Sequence, residues 1–344
     1  VLDTKLTSSQ KWRRKMAYSV RLMHHPSLRV PDLAGAEGFF ARVYSRPSVS
    51  QATILGEKAR QGVIDPNSTR PMDYCTFTLI ADVYMDSLDP SRYVIDGRQM
   101  YETVTEPQLI GFGWGVDGDL EELYFALVEH GIRSDDQYGR TGTPDGVPMA
   151  AFSATPLFYT TVDTAGLRYQ FMPASRIEGW HASDPRWDPG WVVPPPSPTD
   201  PLGIEFCASH TVVTANPERA HTVLVDILGG RLIWESDMKL SGTRSMFVSL
   251  ADSVFEIAVP GNGDSITRRD LDKHAPYDAY HTLTWKVSDL DQAAEHLRRS
   301  GVRIVARDES TLIVNSTDAL GVPWRFTDSA IPNDPRVQDG AAAS

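Results

Sequence analysis

Residues 163–171 read DTAGLRYQF, and residues 318–326 read DALGVPWRF. In both, Asp-x-x-Gly leads into a strand-like run, and the polar residue four places after the glycine is Gln170 in one copy and Arg325 in the other. A second pair lies upstream, where Gly131-Ile-Arg133 matches Gly301-Val-Arg303 at a spacing of 170 residues. Such self-similarity is the mark of a duplicated structural unit.

The surrounding sequence repeats the same grammar four times. MHHPSLRV (23–30), LIGFGWGV (109–116), FCASHTVVTA (206–215) and YHTLTWKV (280–287) each read as a strand. Each is followed by a helical pattern of about three turns and then by β-rich sequence. Pro31 and Asp32 suit a helix start, and Phe39, Phe40 and Val43 fall on one helical face. The fold class expected is therefore α+β, with four βαβββ units paired two and two into half-open curved sheets. A doubly wound sheet is a poorer description. It would place a helix after nearly every strand, whereas YCTFTLIADVYM and SMFVSLADSVFEIAV hold several strands in succession. GFGWGVDG lacks GxGxxG spacing and its glycines alternate within a strand.

Between the two pairs, residues 177–203 carry seven prolines and three tryptophans. Proline fixes φ and removes a donor, so this segment reads as a semi-rigid linker, packed down by its indoles. The expected organisation is an N-terminal domain over 1–175, a linker over 176–203, a C-terminal domain over 204–330 and a disordered tail over 331–344.

Composition narrows the function classes. Of 344 residues, 41% are apolar and 23% charged, as in ordinary globular domains. A net charge of −12 disfavours nucleic acid and anionic membranes as partners, and favours a small-molecule substrate. No run approaches the apolar length of a membrane span, and the stretch through Arg13, Arg14 and Lys15 lacks the apolar core of a signal peptide. Cys75 and Cys207 are far apart and form neither a disulfide framework nor a thiolate zinc site, so a reducing cytoplasm is the expected compartment. A homo-oligomer is an open option.

At these residues the chain resembles the vicinal-oxygen-chelate superfamily, which includes glyoxalase I, methylmalonyl-CoA epimerase and the extradiol ring-cleaving dioxygenases. His25, Val30, Asp32 and Leu33 match the family's opening signature, as do His210 through Ala215 with Pro217. The resemblance runs from about Met23 to Asp328 and implies a divalent metal held inside a curved sheet, binding substrate through two neighbouring oxygens. Fe(II) is the favoured ion, with Mn(II), Zn(II) or Ni(II) as alternatives.

The ligand positions carried over are His210, Glu256 and His281 in the C-terminal domain, a set of two imidazoles and a carboxylate. Arg325 occupies the last position, where it would grip a substrate carboxylate or pair with Glu256. Counting back from Val287 puts the ligand position on Thr282, so His281 points inward only if a bulge intervenes. In the N-terminal domain the corresponding positions are His25, Asp82, Gly111 and Gln170, a poorer set because glycine has no donor. His274 and Tyr280 are candidate proton or hydrogen-bond donors near the C-terminal cavity, and Trp234, Phe255, Trp285 and Trp324 would suit a ring-containing ligand. The plain alternatives are a strand histidine at 210, a structural ion pair between Glu256 and Arg325, a core amide at 170 and a core tyrosine at 280. His24, His130, His221 and His296 are assigned no role, and His181 lies in the linker.

The function expected first is a non-haem Fe(II) dioxygenase-like enzyme acting on a small hydrophobic or aromatic oxygenated substrate. Against it, STDALGVPWRF lacks the Tyr, Asp-Pro and Glu of the extradiol signature. The alternatives are a redox-neutral lyase, isomerase or epimerase that abstracts a proton next to a carbonyl, and a metal-free small-molecule-binding protein.

Overall fold

Each Asp-x-x-Gly turn feeds a strand at the same place in one of two eight-stranded sheets. The turn glycines, Gly166 and Gly321, have φ of 82° and 71°, a region that side chains with a Cβ rarely adopt. A computed structural model of the chain describes residues 17–60, 71–150, 155–175 and 184–337. The first sheet contains β1 (Tyr18–Arg29), β2 (Ser48–Ser50), β3 (Cys75–Ile80) and β4 (Val83–Leu88). A small separate hairpin, β5 (Val94–Ile95) and β6 (Arg98–Gln99), precedes β7 (Gln108–Gly118), β8 (Ser134–Asp135), β9 (Phe158–Thr160) and β10 (Arg168–Pro173). The strand order is β2-β3-β4-β1-β7-β10-β9-β8.

The second sheet repeats it. Its strands are β11 (Ile204–Val213), β12 (Arg231–Met238), β13 (Thr243–Leu250), β14 (Ser253–Pro260), β15 (Ala279–Val287), β16 (Ile304–Arg307), β17 (Thr311–Val314) and β18 (Arg325–Thr327). They run in the order β12-β13-β14-β11-β15-β18-β17-β16. In each sheet the first strand is parallel to the fourth and antiparallel to the strand that opens the next unit. The architecture is thus α+β, two open mixed sheets that curve without closing.

Local chemistry starts each unit's helix. Asp32, Asp119, Asn216 and Asp289 accept hydrogen bonds from backbone N–H groups of the first turn, which otherwise lack partners. One face of each helix is buried against its sheet: Leu33, Ala36 and Phe39 in the first, and Leu290, Ala293, Ala294 and Leu297 in the last. One hydrophobic cluster then spans both sheets. At its centre Phe112, on β7, meets Phe255 at 5.1 Å and Tyr280 at 4.2 Å between ring centroids.

The halves are also tied by a crossed set of polar contacts. Asp82, in the β3–β4 turn, accepts from the Cys207 N–H at 2.7 Å, and Asp252, in the β13–β14 turn, accepts from the Met23 N–H at 2.9 Å. The motif Asp-Pro-Arg occurs at 184–186 and again at 334–336. Arg186 donates to the carbonyls of Met23, His24 and Asp82, and Arg336 to those of Cys207, Ala208 and Asp252. Each arginine is braced by the aspartate two residues before it.

Of the tail expected to be disordered over 331–344, residues 331–337 are described and are tied down by Arg336, which donates to three carbonyls; residues 338–344 lie outside the described residues. Of the Pro/Trp segment, residues 176–183, with Trp180 and His181, lie outside the described residues. Trp187 is buried and donates to Asp184. Among the described residues no helix is long and apolar enough to cross a membrane.

Candidate functional site

Register places five residues of each sheet at matching positions on the curved face. In the first sheet, Ser27 lies opposite Asp86, His25 opposite Gly113, and Gly113 opposite Gln170. In the second, Thr211 lies opposite Glu256, Ser209 opposite Thr284, and Thr284 opposite Arg325. The two cups therefore carry His25/Ser27/Asp86/Gly113/Gln170 and Ser209/Thr211/Glu256/Thr284/Arg325.

In the second cup the carboxylate is satisfied, although Arg325 Nε and Nη2 are buried without partners. Arg325 Nη1 donates to Glu256 Oε2 at 2.7 Å, and Thr211 and Ser245 donate to the same carboxylate at 2.6 Å each. Both charged residues are buried. Burial alone would raise the Glu256 pKa, but Arg325 and the two hydroxyls outweigh it and hold the carboxyl below its usual value. His210, one residue along from Ser209, faces the opposite side. Its ring lies 5.5 Å from Phe255, its Nδ1 is 2.8 Å from the Tyr280 hydroxyl, and burial lowers its pKa to about 3. Tyr280 is thereby a core tyrosine that holds His210, away from Glu256.

Between the paired residues Tyr280 and Thr282 the β11–β15 register slips, and His281 is the extra residue. It lines a cleft with Arg325, and its Nε2 lies 3.1 Å from Asp270 Oδ2. Burial works against the Asp270 charge, yet the bonds from His281 and Lys273 bring its pKa down to about 2. His274 ends the helix Ile266–His274, where its ring bonds the Asp270 carbonyl. His210, Glu256 and His281 thus do not converge. Among the described residues no group of three or more His, Cys, Asp or Glu side chains is placed to hold a metal. Of the aromatics expected near this cavity, Trp234 lines it, whereas Phe255, Trp285 and Trp324 are in the core.

The first cup is different in kind. Its cleft, open to solvent, is lined by His25, Ser27, Asp86, Tyr159, Arg168 and Gln170 among others. Ser27 Oγ lies 3.0 Å from His25 Nδ1 and donates to Asp86 Oδ2 at 3.2 Å. In the ionised state of Asp86, Ser27 gives its one proton to the carboxylate and accepts from Nδ1–H, which leaves Nε2 as the bare nitrogen of His25. A Cβ at Gly113 would stand 2.7 Å from Nε2 and 3.1 Å from Gln170 Oε1, so the glycine provides the space in which those two atoms lie. Gln170 in turn donates to the Tyr159 hydroxyl at 3.1 Å.

Burial pushes the Asp86 carboxyl up to about 7, against the hydrogen bonds from Ser27 and Cys75. It keeps the His25 ring well below its ordinary value, with His24 and Arg186 adding to the effect. A carboxyl that titrates near neutrality beside a neutral imidazole in a cleft is the arrangement proton-transfer sites use.

Two N-terminal positions shift relative to expectation. Asp82 is in the turn and bonded across to Cys207, so it is not in the cup. The acid in the cup is Asp86, four residues on. Gly111 sits under the Arg168 carbonyl, where a Cβ would come within 2.0 Å of the oxygen; the glycine facing His25 is Gly113. Asp86 was legible from the spacing of 170 residues that relates Gly131 to Gly301, because the same spacing relates it to Glu256.

The fold's resemblance implies a divalent metal. The second cup does not fit one, because a guanidinium already neutralises its carboxylate. The first offers His25 Nε2 and Gln170 Oε1 near one point, with Asp86 on the other nitrogen's side, which is two neutral donors and not a chelating set.

Comparison with solved structures places the whole chain. A triple mutant of 4-hydroxymandelate synthase from Streptomyces coelicolor matches with a TM-score of 0.54 and 12% identity, over 94% of this chain and 99% of that one. The 2,3-dioxygenase LapB from Pseudomonas sp. KL28 matches with a TM-score of 0.51 and 11% identity, over 92% and 95%. The Mn(II)-bound glyoxalase from Novosphingobium aromaticivorans matches with a TM-score of 0.51 and 12% identity, over 93% and 86%. No family model and no curated protein matches the sequence. Four repeated units, two curved sheets and full-length superposition together establish that the chain has the vicinal-oxygen-chelate fold, in its two-domain form.

Proposed function

We propose that the chain is an enzyme whose N-terminal cleft carries out redox-neutral proton transfer on a small oxygenated, ring-containing compound, as an isomerase, epimerase or lyase. The observation that carries this reading is the His25–Ser27–Asp86 array, with Asp86 raised to about 7 by burial. His25 Nε2 takes a proton from a carbon next to a carbonyl. Asp86, 3.8 Å from Nδ1, balances the imidazolium that results. Gln170, whose Oε1 faces the same space while its Nε2 donates to Tyr159, is positioned to accept from a substrate hydroxyl or a water. The second cup serves as scaffold, its carboxylate already neutralised by Arg325.

Oxygenation at Fe(II) is the second reading, supported by the likeness of the fold to that of the 2,3-dioxygenase LapB and not by the donors over Gly113. Two side chains do not define an ion's shell. The test is solvent-deuterium incorporation into a panel of aryl ketones and β-dicarbonyls, with oxygen uptake followed in parallel. Catalysed exchange that is lost in His25→Ala and Asp86→Asn is expected. Oxygen consumption dependent on added Fe(II), without exchange, would replace the first reading with the second.

A further inference from the structure

The cleft is lined by a cation that the proton-transfer reading does not use, Arg168, and a second, Arg29, stands against the Tyr101 ring that lines it too. Arg168, on β10, lies with its guanidinium carbon 4.3 Å from the Tyr159 ring centroid and 5.5 Å from that of Tyr101. Arg29, at the end of β1, lies 4.9 Å from the same Tyr101 ring. Neither guanidinium has an ion pair or hydrogen bond to a protein group among the described residues, and the Nε of each is buried without a partner. This is unusual in a chain with 45 acidic residues against 33 basic ones. The nearest acid, Glu102, acts on Arg29 only through space, and burial together with Arg168 lowers the Arg29 pKa. Arg168, Tyr101 and Tyr159 line the same cleft as His25 and Asp86. The rings hold the guanidinium groups by cation–π contact and leave their donors without protein partners, and a carboxylate matches a guanidinium in both charge and shape. The stacked Tyr74 and Tyr93, 4.0 Å apart, form another wall of that cleft.

We propose that the substrate of this cleft is an aryl or unsaturated carboxylate, its carboxylate read by Arg168, with Arg29 adding positive charge from beside Tyr101, and its ring held among the tyrosines. The inference rests on the reading of this cleft as the reaction site and adds the substrate class. Its test is fluorine NMR of the full chain with 4-fluorophenylacetate, its neutral amide and 4-fluorophenyl phosphate. A charge-assisted contact corresponds to about ten- to hundredfold in affinity. The acid is expected to bind tighter than the amide by that factor, the preference falling to near unity in Arg168→Gln and shrinking in Arg29→Gln. Thermal unfolding of each variant separates lost binding from lost fold, and Arg168→Lys, which keeps the charge but not the fork, should retain part of the preference. Asp86→Asn should keep the acid preference while losing proton exchange. Equal affinity for acid and amide, no binding of the acid, or phosphate bound tighter than carboxylate would each overturn the proposal. Loss of exchange activity throughout, with the acid preference intact, would instead remove the proton-transfer reading and leave this one standing.

Discussion

Replacing Asp86 by Asn gives the sharpest physical test of the cleft. The carboxyl moves from 3.8 to about 7 on folding because it loses water and gains no cationic partner of its own. Between those values the folded chain keeps a proton that the unfolded chain releases. Its contribution to stability is therefore complete below about pH 4 and is lost as pH rises through about 7. The slope approaches 1.4 kcal/mol per pH unit, and the total approaches about 4 kcal/mol as an upper figure. Asparagine has no proton to lose. Asp82, raised to about 6, and Asp252 give the same sign of dependence in both proteins and cancel in the difference. Urea unfolding followed by tryptophan fluorescence at about pH 5 and pH 8 should show Asp86→Asn gaining several kcal/mol on the wild type across that interval. Buried Trp114 and Trp187 report on this half of the molecule. A stability difference that stays constant with pH would refute the assignment of Asp86 as a desolvated, titrating carboxyl, and the proton-transfer reading with it.

Gly113→Ala should push the His25 ring from its place, since the new Cβ would lie 2.7 Å from Nε2; loss of exchange activity with about 1–3 kcal/mol of destabilisation by chemical unfolding is expected. His210→Phe should leave divalent-cation uptake, measured by equilibrium dialysis, unchanged, because this ring packs between Phe255 and Tyr280 on the far face of β11. Glu256→Gln should destabilise by about 3–5 kcal/mol through the uncompensated Arg325, and Glu256→Met with Arg325→Met should recover much of that, both read by thermal unfolding. Arg336→Ala, which releases three carbonyls and Asp334, should lower stability by a similar amount while altering both halves' amide-exchange protection.

The duplicated architecture was readable because the hydrophobic and turn patterns repeat, and the Gln170–Arg325 correspondence taken from the Asp-x-x-Gly match is the one the sheets show. The site was harder for a specific reason. On a strand, one residue decides the face. Aligning His210 with His25 by residue type placed it in the cup, whereas the sheet aligns His25 with Ser209 and turns His210 toward the core. Strand direction at His281 depended on a bulge that no local sequence signal requires. Asp82 attracted attention as an acid near a strand, but the turn preceding β4 holds it at the boundary between halves. The unpaired state of Arg29 and Arg168 is a property of what surrounds them in space, which spacing along the chain does not encode.

The crossed clasp of Asp82 and Asp252 bears on how such a duplicated chain can change over time. Met23, whose N–H Asp252 holds, is two residues from His25, and Cys207, held by Asp82, is two residues from Ser209. A working cleft in one copy is therefore underwritten by the opposite copy's hairpin. The copy whose cup is closed by an internal ion pair still positions the strand that carries His25, and drift in it will be felt as misplacement of that imidazole in its sibling.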